Sequence, residues 1–300
     1  MFDGFTSETH APYGVPIHVR RGGSGPPLLM LHGHPQTSAM WHRVAPALAR
    51  HHTLVLPDLR GYGASARVPA DADHAAHSKR TMAAELAALM RALGHERWGI
   101  VAHDRGARVA HRLAMDHAEA VQSLLLLDIA PTLAMYEGTG EAFARAYWHW
   151  FFLIQPAPLP ERLIEADPVA YLNDVMGRRH AGLGAFDPEA LAEYRRAIAV
   201  QGTATSICED YRASAGIDLE HDRADRDAGR RLPMPLRVLW GARGVVGRCY
   251  DVLAAWRPVA ADVSGHAVDC GHYIAEEAPQ AVIDEVLRHS GTGLGATTNE

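Results

Sequence analysis

Short apolar runs alternate with stretches of helical spacing, and this alternation constrains the fold of the chain more than any other feature. The runs at residues 28–31, 98–102 and 121–127 have the length and continuity of strands that are buried on both faces. Between them lie amphipathic segments, one of which Ser78 can cap and Gly94 can end. Such alternation predicts an α/β fold, with a mostly parallel sheet and helices on both faces.

The same pattern predicts elements on either side of these runs. We expect strands at residues 15–20, 54–56, 236–240 and 259–263, a helix at 106–117 and a final helix at 274–289.

The strand pattern stops at about residue 132 and returns at about residue 231. The intervening stretch is rich in aromatic residues, and its Asp167-Pro168 and Asp187-Pro188 pairs are typical of helix starts. We therefore predict a core formed by residues 1–131 and 232–300, and a helical cap formed by residues 132–231. An insertion at this point would cover the carboxyl edge of the sheet, where open α/β sheets bind their ligands.

Charge and composition narrow the classes of partner. The net charge is -6, and Lys and Arg form no basic tract, so we expect no nucleic-acid partner. The apolar runs are too short to span a bilayer, and the N-terminus lacks the pattern of a secretory signal. Three cysteines without metal spacing argue against a disulfide framework and favour a cytoplasmic protein.

The segment Ala102-His103-Asp104-Arg105-Gly106 lies between a predicted strand and a predicted helix. Small residues two positions before and after a central residue are the sequence form of a nucleophile elbow, which is typical of the α/β-hydrolase fold. The central residue here is Asp104, a carboxylate suited to attack on saturated carbon. It could instead cap the following helix.

Further residues fit the remaining parts of such a site. An α/β-hydrolase places its acid and its histidine after the nucleophile, and Asp128 and His272 stand at the expected positions. The other acid position, after residues 236–240, holds no carboxylate before Asp251, and His266 is a rival base. The turn after residues 28–31 predicts an oxyanion hole formed by the backbone N–H groups of His34 and Arg105.

Four segments resemble the fluoroacetate (haloacetate) dehalogenases of the α/β-hydrolase superfamily. They are His103-Asp104-Arg105-Gly106-Ala107-Arg108, Asp128-Ile129-Ala130-Pro131-Thr132, His149-Trp150-Phe151-Phe152 and Glu209-Asp210-Tyr211-Arg212. Haloalkane dehalogenases and epoxide hydrolases typically carry Trp after the nucleophile, where this chain has Arg105. The chain departs from the dehalogenase pattern at His34, where the family commonly has an aromatic residue.

Arg105 and Arg108 lie three residues apart and so share one face of the helix after Asp104. Cations in the first turn of a helix interact unfavourably with the helix dipole, so their presence indicates that they bind an anion. A guanidinium fork suits the carboxylate of a small acid, but an Asp or Glu of the protein could be the anion instead.

The resemblance assigns His149, Trp150 and Tyr211 to a halide-binding site. Fluoride needs several aligned donors in a dry pocket, which these side chains can provide. The aromatic cluster could instead be the core of the cap. Tyr211 would also suit an epoxide hydrolase, with Tyr147 or Tyr194 as its mate.

These features predict hydrolysis of haloacetates through an ester on Asp104, with His272, oriented by Asp128, as the base for water. The substrate would be a small anionic haloacid, and the reaction needs no metal or cofactor. The resemblance also implies a homodimer. The alternatives are an epoxide hydrolase with the same nucleophile, a haloalkane dehalogenase, or a non-catalytic receptor built on this scaffold.

Overall fold

The computed structural model describes residues 1–290 and contains one eight-stranded sheet. The strands are β1 (Thr6–His10), β2 (Ile17–Gly22), β3 (Pro27–Leu31), β4 (Thr53–Pro57), β5 (Trp98–His103), β6 (Val121–Leu127), β7 (Leu236–Gly241) and β8 (Val263–Val268). Their order in the sheet is β1-β2-β4-β3-β5-β6-β7-β8. From β4 to β8 all neighbouring strands are parallel, whereas β2 pairs antiparallel with both β1 and β4. The predicted α/β-hydrolase fold is confirmed.

Helices account for most of the remaining described chain. The helices of the first part are α1 (Ala45–Leu48), α2 (Lys79–Ala92) and α3 (Asp104–Asp116). Those between β6 and β7 are α4 (Thr132–Glu137), α5 (Glu141–Ala146), α6 (Trp148–Leu153), α7 (Leu159–Ala166), α8 (Pro168–Gly177), α9 (Pro188–Ile198), α10 (Thr203–Ala215) and α11 (Ile217–Asp227). The last four are α12 (Val246–Cys249), α13 (Val252–Trp256), α14 (Ile274–Glu277) and α15 (Pro279–Ser290), and short 3₁₀ helices span Ser38–Trp41, Ala75–His77 and Leu183–Ala185.

The helix caps predicted from the sequence are present in the structure. The Ser78 hydroxyl accepts a hydrogen bond from the Thr81 N–H at the start of α2, and Gly94 has φ +84° just beyond its end. Asp167 and Asp187 cap α8 and α9 in the same way, each with proline as the first helical residue.

The strand predicted at residues 259–263 is wrong, because β8 begins only at Val263. Residues 259 and 260 instead form the turn after α13, where Ala260 makes an isolated bridge to Leu232. β8 lies at the edge of the sheet and is largely half-buried or exposed, so no continuous apolar run marks it. The opposite edge strand, β1, is equally exposed and also escaped prediction.

The final helix predicted at residues 274–289 is two helices, α14 and α15. Pro279 begins the second one, since it has no N–H to donate to the first and fits the first position of a new helix.

Eight helices lie between β6 and β7, within the stretch predicted to be a cap. The division into a core (residues 1–131 and 232–300) and a cap (residues 132–231) stays a prediction, and its last ten residues lie outside the described chain. No helix among residues 1–290 combines the length and the apolar character that a bilayer-spanning segment needs.

Gly106 allows α3 to approach β3 closely, and replacing it should destabilise the fold. A Cβ atom at this position would lie 2.3 Å from the His32 carbonyl oxygen and 2.7 Å from the Leu31 Cβ. Although alanine favours helices, we expect Gly106→Ala to lower the free energy of unfolding by about 2 kcal/mol, because backbone must move to relieve the clash. Urea denaturation measures the change. Gly184→Ala, which adds a Cβ in open space, is the control; equal losses in both variants would contradict the prediction.

Candidate active site

Asp104 stands at a sharp turn between β5 and α3. Its φ is +46°, a left-handed conformation that costs a non-glycine residue free energy, so the surrounding structure must impose it. Gly33 is needed for this arrangement, since a Cβ there would lie 2.5 Å from the Asp104 Cβ. The turn directs the carboxylate toward the carboxyl edge of the sheet, as a nucleophile elbow does.

The Asp104 carboxylate is 4% exposed and has defined neighbours on both oxygens. Oδ1 accepts a hydrogen bond of 2.9 Å from the His34 N–H, and Oδ2 lies 4.0 Å from His272 Nε2. Burial by itself would raise the pKa of Asp104. Nearby His272, His103, Arg108 and Arg105 outweigh it and hold the pKa well below its usual range. Asp104 is therefore ionised, as a nucleophile must be.

Asp128 and His272 meet as the sequence predicts. His272 Nδ1 donates to Asp128 Oδ2 at 2.6 Å, and the Gly241 N–H donates to Oδ1 at 2.9 Å. Both carboxylate oxygens are thus occupied, which fixes the imidazole with Nε2 toward Asp104. His103 Nε2 donates to the His272 carbonyl oxygen at 2.9 Å and so holds the loop that carries His272.

The rival residues lie elsewhere. Asp251 caps α13 by accepting from the Ala254 N–H, and His266 is exposed on β8. Neither is brought to the nucleophile.

Arg105 is paired within the protein. Its Nε and Nη2 donate to the two carboxylate oxygens of Asp210 at 2.9 and 2.8 Å, and Nη2 also donates to the Ser214 hydroxyl. This is the alternative in which the anion belongs to the protein. Nη1 is buried with no partner among the described residues, so Arg105 keeps the two N–H donors of this nitrogen for another acceptor.

Asp210 has further partners that the sequence did not reveal. Lys79 Nζ contacts Oδ1, and the Tyr62 hydroxyl donates to Oδ2 at 2.8 Å. All of these groups are almost fully buried. The only sequence signal was the family segment that contains Asp210, which gave this residue no role.

Arg108 differs from Arg105 because no carboxylate of residues 1–290 lies within 4 Å of it. Its Nη1 donates to the Thr132 hydroxyl at 2.8 Å, its Nε is buried without a partner, and its Cζ lies 4.6 Å from the centre of the Trp150 ring. Burial and the charge of Arg105 lower the pKa of Arg108, yet a guanidinium stays charged in proteins. Arg108 is thus a buried cation without a counter-ion beside Asp104.

His149, Trp150 and Tyr211 come together above these groups. The Tyr211 ring centre is 6.0 Å from that of His149 and 6.3 Å from that of Trp150, and Arg105 stacks on its face at 4.1 Å. The Trp150 Nε1 and the Tyr211 hydroxyl are buried with no partner in the described chain. Burial lowers the pKa of His149 well below its usual value, and the charge of Arg179 adds to this effect, so the ring is neutral. This cluster of three side chains therefore contains two buried donors without a partner among residues 1–290.

His34 stands where the dehalogenase family commonly has an aromatic residue, and its imidazole lies at the site. His34 Nε2 lies 3.1 Å from the Tyr171 hydroxyl, and the ring packs parallel to His149 at 6.2 Å. Burial lowers the pKa of His34 to about 3, so it is neutral and adds no charge.

The two tyrosines considered as mates for Tyr211 are now distinguished. Tyr194 donates to Glu276 at 2.6 Å and is engaged elsewhere. Tyr147 packs 6.2 Å from the His272 ring, and its hydroxyl is buried without a partner among residues 1–290.

Asp210 compensates buried cations, so its loss should be costly. Asp210→Asn would leave Arg105 without its counter-ion and Lys79 with Asp218 alone, 3.6 Å away, and we expect the free energy of unfolding to fall by about 3–5 kcal/mol. Chemical denaturation at pH 7 measures this change. Asp174→Asn removes the partner of Arg178 in an exposed i,i+4 pair and should cost no more than about 0.5 kcal/mol. Comparable losses for the two variants would contradict the prediction.

The difference in unfolding free energy between wild type and Asp210→Asn should also depend on pH. Burial opposes ionisation of Asp210, but Arg105 and Lys79 outweigh it and hold its pKa well below the usual range. A depressed pKa stabilises the folded state above the unfolded pKa and loses this effect as the pH falls. The difference between wild type and Asp210→Asn is therefore complete at pH 7 and shrinks below about pH 4.

The family and the relatives of the chain agree with this geometry. The family model described as alpha/beta hydrolase fold matches residues 26–174. A fluoroacetate dehalogenase from Burkholderia sp. is 42% identical over 99% of this chain and 98% of its own length. A soluble epoxide hydrolase from Corynebacterium sp. (strain C12) is 35% identical over 92% of this chain and 93% of its own length.

Similarity to solved structures extends over the same span. The crystal structure of a protein from Nostoc sp PCC 7120 superposes with a TM-score of 0.93 at 48% identity, covering 96% of this chain and 98% of that one. Coverage of nearly the whole chain at this identity confirms the resemblance found in the sequence. This chain belongs to the α/β-hydrolase superfamily, and within it to the fluoroacetate dehalogenase family.

Proposed function

We propose that the chain hydrolyses haloacetates, fluoroacetate among them, to glycolate and halide. The observation that carries this proposal is Arg108, a buried cation beside Asp104 with no carboxylate partner among residues 1–290. A monoanionic acid supplies the missing counter-charge, and Arg108 in turn offsets the repulsion between the substrate carboxylate and Asp104. The 42% identical relative is a fluoroacetate dehalogenase, which supports this substrate class.

Binding and the first chemical step involve different groups. Arg108, together with the free Nη1 of Arg105, holds the substrate carboxylate. Asp104 then attacks the carbon that bears the halogen from the side opposite the leaving group. A C–O bond forms as the C–halogen bond breaks, and the halide departs with the bonding electrons.

The halide leaves into the space bounded by His149, Trp150 and Tyr211. Its donors are the Trp150 Nε1–H and the Tyr211 hydroxyl, which have no other partner in the described chain, and the neutral His149 ring. Donors already aligned in a dry pocket are what a strongly hydrated leaving group such as fluoride requires.

Hydrolysis of the ester regenerates the enzyme. Neutral His272 removes a proton from water, and that water attacks the carboxyl carbon of Asp104. The backbone N–H of His34 already contacts Asp104 Oδ1, so with the N–H of Arg105 it stabilises the oxyanion. Glycolate is released, and the proton passes from His272 to solvent.

Removing the base should separate the two steps. In His272→Asn, Asp104 still attacks, but the ester is not hydrolysed. We therefore expect a burst of one equivalent of fluoride per active site followed by no turnover, and mass spectrometry should find a carboxymethyl group on Asp104. The double variant with Asp104→Asn should release no fluoride and carry no adduct. An adduct on any other residue, or steady turnover by His272→Asn, would exclude this mechanism.

A second candidate function is epoxide hydrolysis with the same nucleophile. Two buried tyrosine hydroxyls without partners among residues 1–290, those of Tyr147 and Tyr211, both lie near the catalytic groups and could polarise an epoxide oxygen. The epoxide hydrolase among the relatives supports this alternative. Epoxide hydrolysis, however, gives the charge of Arg108 no function, because an epoxide is neutral.

Arg108 separates the two candidates. Arg108→Gln should lower kcat/KM for chloroacetate by about 100-fold, since charge-assisted hydrogen bonds to a carboxylate contribute about 1.5–3 kcal/mol. Hydrolysis of styrene oxide, a neutral epoxide, should be affected much less. The measurement is initial rates of both substrates on wild type and variant. If styrene oxide is the better substrate and loses at least as much activity, epoxide hydrolysis is favoured.

Three further features belong to this proposal. Residues 132–231 act as a cap that supplies the halide donors to the core. The resemblance to the dehalogenases supports a homodimer. The three cysteines, all free, suit a reducing compartment, and we place the enzyme in the cytoplasm.

A further inference from the structure

A cavity of about 360 Å³ adjoins the catalytic residues and is rich in arginine. It shares His149 and His272 with the proposed active site. The arginines that line it are Arg145, Arg178, Arg179, Arg243 and Arg248. Because the cavity reaches the catalytic histidine, its charges act on any substrate that occupies or enters the site.

These arginines differ in how their charges are compensated. Three are paired with acidic side chains: Arg145 with Glu141, Arg178 with Asp174 and Arg243 with Asp269. Arg248 has no carboxylate of residues 1–290 within 4 Å, but it is exposed to solvent and donates its Nε–H to the Gly244 carbonyl oxygen. Arg179 has no carboxylate of residues 1–290 within 4 Å, and its Nε is buried without a partner.

Arg179 is also the arginine of this cavity that packs on the catalytic site. Its Cζ lies 4.4 Å from the centre of the Tyr147 ring. That ring is 5.3 Å from the His149 ring and 6.2 Å from the His272 ring. The charge of Arg179 contributes to the lowered pKa values of His149 and His34, in line with this position.

Two cations that pack on the aromatic side chains of the site, Arg108 and Arg179, thus have no carboxylate partner among residues 1–290. Their aromatic supports, Trp150 and Tyr147, are in contact edge to face with ring centres 5.9 Å apart. A haloacetate has one carboxylate, which Arg108 and Arg105 would bind, and Arg179 would then remain unpaired. A substrate with a second carboxylate would compensate both cations.

We propose that Arg179 binds a second carboxylate of the substrate, so that the enzyme also acts on short halogenated dicarboxylic acids such as 2-chlorosuccinate. This inference rests on the proposed hydrolysis of 2-halo acids at Asp104. An Asp104 oxygen bonds to C2 as the C–Cl bond breaks, and chloride leaves with the bonding electrons. Water then attacks the Asp104 carboxyl carbon, its proton passes to His272, and malate is released.

The test compares two substrates on three proteins. Chloride release is measured with chloroacetate and with 2-chlorosuccinate for wild type, Arg179→Gln and Arg178→Gln. The quantity of interest is the ratio of kcat/KM for 2-chlorosuccinate to kcat/KM for chloroacetate. We expect this ratio to fall about 30-fold in Arg179→Gln, mainly through KM for the diacid, because a charge-assisted contact is lost. Arg178→Gln removes a neighbouring charge that is already paired and should keep the wild-type ratio.

Competitive inhibition adds a readout that does not depend on reactivity at a substituted carbon. Succinate should inhibit chloroacetate hydrolysis by wild type and by Arg178→Gln, and inhibit Arg179→Gln about 30-fold more weakly.

The outcomes separate this inference from the function on which it rests. If wild type hydrolyses chloroacetate but neither hydrolyses 2-chlorosuccinate nor is inhibited by succinate, the second carboxylate site is wrong and the dehalogenase proposal stands. An unchanged substrate ratio in Arg179→Gln overturns the inference in the same way. If wild type releases chloride from neither acid, the proposed function fails and the inference falls with it.

Discussion

The buried ion pair between Arg105 and Asp210 fixes the position of helix α10 relative to helix α3. Arg105 follows the nucleophile on α3, whereas Asp210 lies on α10, which belongs to the stretch between β6 and β7. Lys79 and Tyr62 reach the same carboxylate from the sheet side of the site. A buried pair of this kind is costly to break, because each partner left alone is an uncompensated buried charge. It therefore fixes Tyr211, the next residue of α10, against the Arg105 guanidinium, beside the nucleophile elbow.

The Arg105–Asp210 pair also distinguishes two arginines, Arg105 and Arg108, that appear equivalent in the sequence. Arg105 satisfies its charge on Asp210 and stacks on Tyr211, while Arg108 has only neutral acceptors and the Trp150 ring. One arginine is thus held in an ion pair between two helices, and the other keeps its charge free of any carboxylate partner among residues 1–290. The surrounding histidines His34, His103 and His149 are kept neutral by burial, so they shape the site without adding to its positive charge.

Backbone strain is concentrated at the two carboxylates of the proposed catalytic triad. Asp104 and Asp128 both have positive φ, and each follows directly on a parallel strand of the sheet. The rigid strands, the close approach permitted by Gly33 and Gly106, and the hydrogen bonds to both carboxylates over-determine these conformations. The sheet therefore provides the rigidity that lets two acidic residues stay at fixed positions near one histidine.

The α/β-hydrolase fold could be predicted from the sequence, because buried strands and capped helices have local periodic patterns. The sequence also pointed to Asp104, Asp128 and His272, because chain order and turn residues mark those positions. It misplaced β8 and missed β1, since exposed edge strands carry no apolar run, and it joined α14 to α15 across Pro279. The sequence could not show which arginines have a carboxylate partner and which do not, because that depends on how the chain folds. The partner of Arg105 lies 105 residues away on another helix, and Arg179 reaches the site from α8's far end, so their charge balance depends on contacts that no local pattern encodes.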